Sequence, residues 1–262
     1  RADQMININT QIGPIYVSYQ SDTSLSNLLL SLIQNPPTYD FESFDKSIHR
    51  LWCINDNKFI EEIINFSNNI DYLYIADGHH RIGAMQHIKK NNPSNDKFMI
   101  AAFPLNECKI FDYNRVIKDL NGLSKDQFIK ILTKDFKIVE VNKSHKPSMK
   151  NEFGMYYENQ WYMLNFIGSI SSNNFIDSLD INILNQFCLT KILNIKDVNN
   201  DERIRFIAGC HGLSALEKKV DDNPDSVAFS IFPSEMTDVI RVADSNLTMP
   251  PKSTWFDPKP LD

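Results

Sequence analysis

The sequence predicts an α+β protein: a mixed sheet with packed helices, followed by a second α/β portion. Strand-like and helix-like segments alternate β-α-β-α-β over about 90 residues near the start, which is the pattern of helices packed on a sheet. The 262 residues are 42% hydrophobic and 23% charged, the balance of a chain able to bury a sizeable core. Helices, strands and a hairpin then continue downstream without a repeat or a low-complexity linker. The expected division is residues 1–122 and 123–262.

In order, "GPIYVSY" (13–19) reads as a buried strand opened by Gly-Pro. "SLSNLLLSLIQN" (24–35) is apolar at helical spacing, starts on serine and is stopped by Pro36 and Pro37. "HRLWCIN" (49–55) alternates like a strand. In "NKFIEEIINFSNN" (57–69), Phe59, Ile60, Ile63, Ile64 and Phe66 lie broadly on one helical face. "YLYIA" (72–76) is a strand, "RIGAMQHIKK" (81–90) a helix and "FMIAAFPL" (98–105) a further apolar strand. Downstream, 123–136 is a helix capped by Ser124, and 137–141 is a strand. Residues 153–166 form a hairpin turning at Glu158-Asn159, and 180–193 form a helix. Strands are expected at 203–209 and 226–233, a serine-capped helix at 234–245, and an irregular proline-broken tail after it.

Acids exceed bases, 33 to 27, for a formal charge of −6. That balance argues against a nucleic-acid or anionic-membrane partner, whose affinity needs a basic footprint. Cys53, Cys108, Cys188 and Cys210 are widely spaced, which suggests reduced thiols and a cytoplasmic setting. No apolar run approaches the roughly 18–20 residues that span a bilayer.

The stretch that carries chemistry is Asp77-Gly78-His79-His80-Arg81, between the 72–76 strand and the 81–90 helix. The first amides of a helix lack intrahelical acceptors, and the macrodipole favours an anion there. Gly78 permits close approach of a ligand. Arg81 can grip a phosphate or carboxylate with two prongs, and His79 and His80 add donors. Asp77 is the candidate acceptor of a hydroxyl proton or ligand of magnesium shared with phosphates. Against this stands a plain turn, since Asp-Gly is common turn chemistry. A zinc site lacks a second His/Cys cluster.

The segment "YIADGHHRIGAM" resembles the D-G-H-H-R signature of the family termed domain of unknown function 1015. "GPIYVSY", "HRLWCIND", "FGMYYENQWYMLNF", "LDINILNQFCLTKILNI", "RIRFIAG" and "MPPKSTWFDPK" resemble that family's blocks in the same order. The D-G-H-H-R segment is also similar to the nucleotide-phosphate loop of the ParB/sulfiredoxin superfamily, which includes free serine kinases. The resemblance implies a ParB/sulfiredoxin-like core in 1–122, ATP or ADP with Mg2+ as cofactors, and phosphoryl transfer to a small hydroxyl substrate. Asp77 and His80 would be catalytic, Asp77 would hold the metal, and Gly78, His79, His80 and Arg81 would bind phosphate. The loop has no counterpart of the sulfiredoxin cysteine, and the kinases' second, upstream carboxylate has no assigned position here. Both chain ends are expected to be truncated relative to the family. The alternatives are a nucleotide-binding regulatory protein of ParB type, or a phosphatase or hydrolase using the same anion site.

Further candidates lie outside the loop. Lys252, Ser253, Thr254 and Lys259 sit among prolines in "PPKSTWFDPK", either as phosphate or carboxylate ligands or as a rigid strap packing Trp255 and Phe256. Lys252 and Ser253 are retained as ligands, and Arg115 as a second phosphate clamp. Cys210-His211, the acidic group Asp40, Glu42 and Asp45, and Arg50 are weaker candidates. Arg50 would reach the anion only if its strand neighbours 72–76.

Overall fold

The computed structural model describes residues 2–11, 13–44, 46–91, 93, 97–170 and 174–257. Asp45, Lys259 and the end of the tail therefore lie outside the described residues. The fold is a mixed α+β architecture with several sheets, one of them of mixed sense. The chain divides into two compact units, one running to Cys108 and the other spanning Lys109–Asp257. Residues 109–122, expected in the first portion, belong to the second unit.

In the first unit, β1 (Ile15–Tyr19) is flanked by β4 (Tyr74–Asp77), antiparallel, and β5 (Ile100–Pro104), parallel. All five β1 residues are buried, which explains the apolar run: a central strand covered on both faces has no solvent side to alternate with. The buried Ser18 hydroxyl is satisfied by donating to Phe103 O at 3.0 Å. The preceding α1 (Ala2–Ile8) and α4 (His79–Asn91) share a cluster of Met5, Ala84 and Ile88. The cap of α2 (Thr23–Leu32) is Asp22, accepting from Leu25 N–H at 2.9 Å, rather than the expected serine. The amphipathic helix α3 (Asn57–Asn68) is capped in the same manner by Asp56.

The strand expected at 49–55 does not join this sheet. β3 (Ile48–Leu51) pairs with β2 (Tyr39–Glu42) as a separate two-stranded ribbon, in register Tyr39↔Leu51 to Glu42↔Ile48. A local antiparallel return is available because only residues 43–47 separate the strands, and alternation alone does not name a partner. The ribbon is largely exposed.

The second unit is built on a six-stranded antiparallel sheet, ordered β11-β7-β12-β9-β10-β8. Its strands are β7 (Tyr113–Ile117), β8 (Phe136–Val141), β9 (Glu152–Tyr157), β10 (Gln160–Phe166), β11 (Ile204–Ala208) and β12 (Val227–Ile231). The β9–β10 hairpin turns at Glu158 and Asn159, with φ of 48° and 59°, the left-handed pair that two-residue hairpins require. The capping box expected at Ser124 forms at α5 (Lys125–Leu132): Gln127 N–H donates to Ser124 Oγ and Ser124 N–H to Gln127 Oε1. That helix ends before Phe136, whose ring enters the core at the start of β8.

Further elements depart from expectation. The helix expected over 180–193 is α6 (Asp180–Leu184) running into a π-helical segment, Asn185–Thr190, whose Phe187, Cys188 and Leu189 are buried. A helix unassigned in the sequence, α7 (Ser214–Asp221), covers the sheet with Leu216 and Val220. The tail is not wholly irregular, since β13 (Trp255–Asp257) pairs antiparallel with β6 (Lys109–Phe111). In α8 (Met236–Asp244) the cap is Glu235, whose N–H donates to Asp238 Oδ2 at 3.1 Å, instead of Ser234. Among the described residues, no helix is long and apolar enough to cross a membrane.

Candidate functional site

β4 delivers the 77–81 segment to the end of the first unit's sheet, where Asp77 sits opposite Tyr16 of β1. The chain turns at Gly78 with φ of +101°, a region that side-chain-bearing residues rarely adopt. Its carbonyl accepts the N–H of Arg81 at 2.8 Å and of Ile82 at 3.0 Å, which starts α4. A Cβ on Gly78 would stand 3.1 Å from Arg81 Nε and 3.4 Å from Ile15 Cα. The glycine therefore serves two needs at once, the backbone angle and the room that Arg81 occupies.

Arg81 folds back over the turn and donates from Nη2 to Asp77 Oδ2 at 3.3 Å. Its side chain is 15% exposed, against 40% for Asp77. His79 and His80 are exposed at the first turn of α4. The arrangement offers two exposed imidazoles and a held guanidinium at a helix start, beside the Asp77 carboxylate. Chemically it suits an anion, with Asp77 placed to orient a proton-bearing group beside it.

The other candidates lie in the second unit, where the structure brings Arg115, Lys252 and Ser253 together. Arg115, expected as a second phosphate clamp, lies within β7 and is fully buried. It donates to Tyr113 O, and from Nη2 to Lys252 O at 3.1 Å. Burial pulls its guanidinium down to about 9, against a smaller upward pull from Tyr113, so it stays charged at neutral pH. Arg115 thus tethers the 250–254 strap by its backbone. Lys252 has φ of 54° and places Nζ 5.9 Å from the Tyr113 ring. Ser253 is 6% exposed, and its hydroxyl has no hydrogen-bond partner among the described residues.

Arg50 pairs with Asp40 across the β2–β3 ribbon at 3.1 Å, and its strand does not neighbour β4. The condition for Arg50 to reach the anion is therefore not met. Glu42 pairs with Lys46 at 2.8 Å. Cys210 and His211 are exposed in a 3-10 turn, Gly209–His211. Among the described residues no group of three His, Cys, Asp or Glu could hold a metal ion.

Sequence reasoning missed one cluster. Lys150 bridges Asp238 (2.8 Å) and Glu235 (3.0 Å), next to the buried Asp180. Burial pushes the Asp180 carboxyl up to about 7, with Asp238 adding to the rise, while the Asn151 amide and Lys150 oppose it. No local signal announces this group, because its members come from separate elements.

The family model described as Protein of unknown function (DUF1015) matches residues 1–182. The chain belongs to that family. No curated protein matches the sequence significantly. Among solved structures, the chain is similar to a free serine kinase mutant in complex with AMP, at 13% identity and a TM-score of 0.41, covering 94% of this chain and 88% of that one. A free serine kinase mutant in complex with ADP is similar at 12% identity and a TM-score of 0.40, covering 94% and 88%. A conserved hypothetical protein from Pyrococcus furiosus is similar at 15% identity and a TM-score of 0.36, covering 76% and 81%.

Proposed function

We propose that the Asp77–Arg81 turn is a nucleotide-phosphate site and that the protein transfers a phosphoryl group to a small hydroxyl compound, in the manner of a ParB/sulfiredoxin-like free serine kinase. The observation that carries this reading is the Gly78 turn, with Arg81 held against it 3.3 Å from Asp77 at the start of α4. Such a turn presents amide donors and a positive side chain to one small volume, which is what a phosphate needs.

In this reading, Arg81, His79, His80 and the first amides of α4 neutralise phosphate oxygens. Asp77 orients the attacking hydroxyl and accepts its proton, and His80 stabilises charge as the bond to the leaving oxygen breaks. Catalysis of this kind is mainly positioning and charge stabilisation. Magnesium, arriving with the nucleotide, would be held by Asp77 and phosphate oxygens and would supply further charge neutralisation. A single half-exposed carboxylate fits that role, since Mg2+ usually keeps waters and takes one or two protein carboxylates.

The test is calorimetric titration of the protein and its Arg81→Ala variant with ATP, ADP and CTP plus magnesium. One nucleotide should bind, and the variant should weaken it by about 10- to 100-fold, as expected for loss of a charge-assisted pair worth about 1.5–3 kcal/mol. Absence of binding by the unaltered protein would remove the phosphate reading and the kinase with it.

A further inference from the structure

The second unit holds a cavity of about 50 Å³ whose lining includes Tyr113, Lys150, Phe175, Asp180, Asp238 and Ser253. That is room for about three or four water-sized groups. Its polar lining comes from far apart in the chain: Lys150 from the turn before β9, Asp180 from the start of α6, Asp238 from the first turn of α8, and Ser253 from the strap before β13. The exposed parts of Lys150 and Glu235, 44% and 53% of the side chains, put one side of the cluster at the surface.

Most of this polarity is internally satisfied. Lys150 Nζ lies 2.8 Å from Asp238 Oδ1 and 3.0 Å from Glu235 Oε2. Asp238 Oδ2 also accepts the Glu235 amide, Ser178 donates to Phe175 O and Ser234 to Ser253 O. Two groups stand apart. Asp180 accepts one backbone N–H, from Asn151, and the buried Ser253 hydroxyl has no partner among the described residues. A buried hydroxyl without a partner is rare in folded proteins and points to an unseen group.

The charges select the ligand. The carboxylates of Asp180, Asp238 and Glu235 face one ammonium, Lys150, which two of them already share. Arg241 stacks on the Phe175 ring at 3.8 Å and Lys252 lies over Tyr113 at 5.9 Å, each engaged with a ring of the lining. An anion would meet the unbalanced carboxylates. A divalent ion needs several convergent ligands, and no such group exists among the described residues. A compact monovalent cation answers both unmet needs, because it neutralises Asp180 and gives Ser253 Oγ a partner.

We propose that this cavity binds a monovalent cation of ammonium or potassium size through Asp180 and Ser253, either as the free ion or as the terminal amino group of a small organic molecule. The proposal uses none of the Asp77–Arg81 residues, and it reassigns Ser253, expected from the sequence as an anion ligand, to a cation. It carries a pH dependence. Burial holds the Asp180 carboxyl at about 7, so a cation that needs the carboxylate binds better above that value than below it.

The test is the melting temperature of the full chain at constant ionic strength. Tetramethylammonium chloride, too bulky for the cavity, is replaced step by step by ammonium, potassium or methylammonium chloride. At pH 8, about 100 mM of the fitting cation should raise Tm by about 3 °C for a site filled to several times its Kd. The rise should shrink at pH 5.5 and vanish in Asp180→Asn. Ser253→Ala should lose at least half of it. Equal rises with ammonium and potassium identify the free ion, and a larger rise with methylammonium identifies an amino group. Equal melting temperatures in all four salts at pH 8, or an undiminished rise in Ser253→Ala, overturn the proposal. Should Asp180→Asn fail to fold, Ser253→Ala decides alone, because it removes a hydroxyl that bonds to none of the described residues.

Discussion

At the scale of single residues, Gly78 occupies a backbone state that would be costly for any side-chain-bearing residue, and Asp180 is itself held in a costly state. Gly78 combines φ of +101° with close packing against Arg81 and Ile15. Gly78→Ala should lower stability by about 1–3 kcal/mol, the usual cost of such backbone strain, and should also displace Arg81. Urea denaturation reads the first effect, and nucleotide titration reads the second. Asp180 is a raised carboxyl, from 3.8 to about 7, driven first by burial. The folded state therefore holds this proton more tightly than the unfolded chain, and between about pH 4 and 7 its ionisation makes stability fall as pH rises. The loss is bounded at about 4 kcal/mol, three pH units at 1.36 kcal/mol each. Asp180→Asn keeps an acceptor for the Asn151 amide and has nothing to ionise. Its urea midpoint should change less between pH 4.5 and 7.5 than that of the unaltered protein, in buffers free of ammonium and potassium. An identical change in both proteins would place the pH dependence elsewhere.

At the scale of elements, local chemistry decides the ends, and partners decide the rest. The Ser124–Gln127 box at the start of α5 satisfies two otherwise orphaned amides, so Ser124→Ala should cost about 1 kcal/mol in the urea midpoint. The 153–166 hairpin was legible because Glu158 and Asn159 tolerate the left-handed turn and the flanking residues suit strands. By contrast, α7 escaped notice because Leu216 and Val220 alone anchor it, and its start has no side-chain cap. The π segment after α6 was equally hidden. A helical repeat in sequence cannot distinguish i→i+4 from i→i+5 bonding, and here Phe187, Cys188 and Leu189 all turn inward.

At the scale of the molecule, the two units differ in how much core they own. The second unit carries a continuous cluster from Ile117 to Ile231 with members on β8, β9, β10 and β12. Among the described residues the first relies on β1, the small Met5–Ala84–Ile88 cluster and a few residues such as Leu25, Leu32 and Ala76, while α3 buries no residue fully. Native-state hydrogen exchange should therefore find the slowest amides in β7, β9 and β12, and much faster exchange in β2, β3 and α3, since local opening follows buried apolar contact. Slow exchange in the β2–β3 ribbon matching that of β9 would contradict this ordering.

The residues alone determined the α+β class, most element positions and the Asp77–Arg81 turn, because each follows from nearest neighbours: apolar period, cap chemistry, and a glycine where the backbone goes left-handed. Tertiary structure decided everything that depends on partners distant in the chain. It sent residues 48–51 into a ribbon with 39–42, so Arg50 met Asp40 and not the anion turn. It sank Arg115 into β7, where its donors hold the carbonyls of Tyr113 and Lys252. It gathered Lys150, Asp180, Asp238 and Ser253 around one small cavity. Strand pairing and charge burial are set by which surfaces meet, and no stretch of sequence records its own partner.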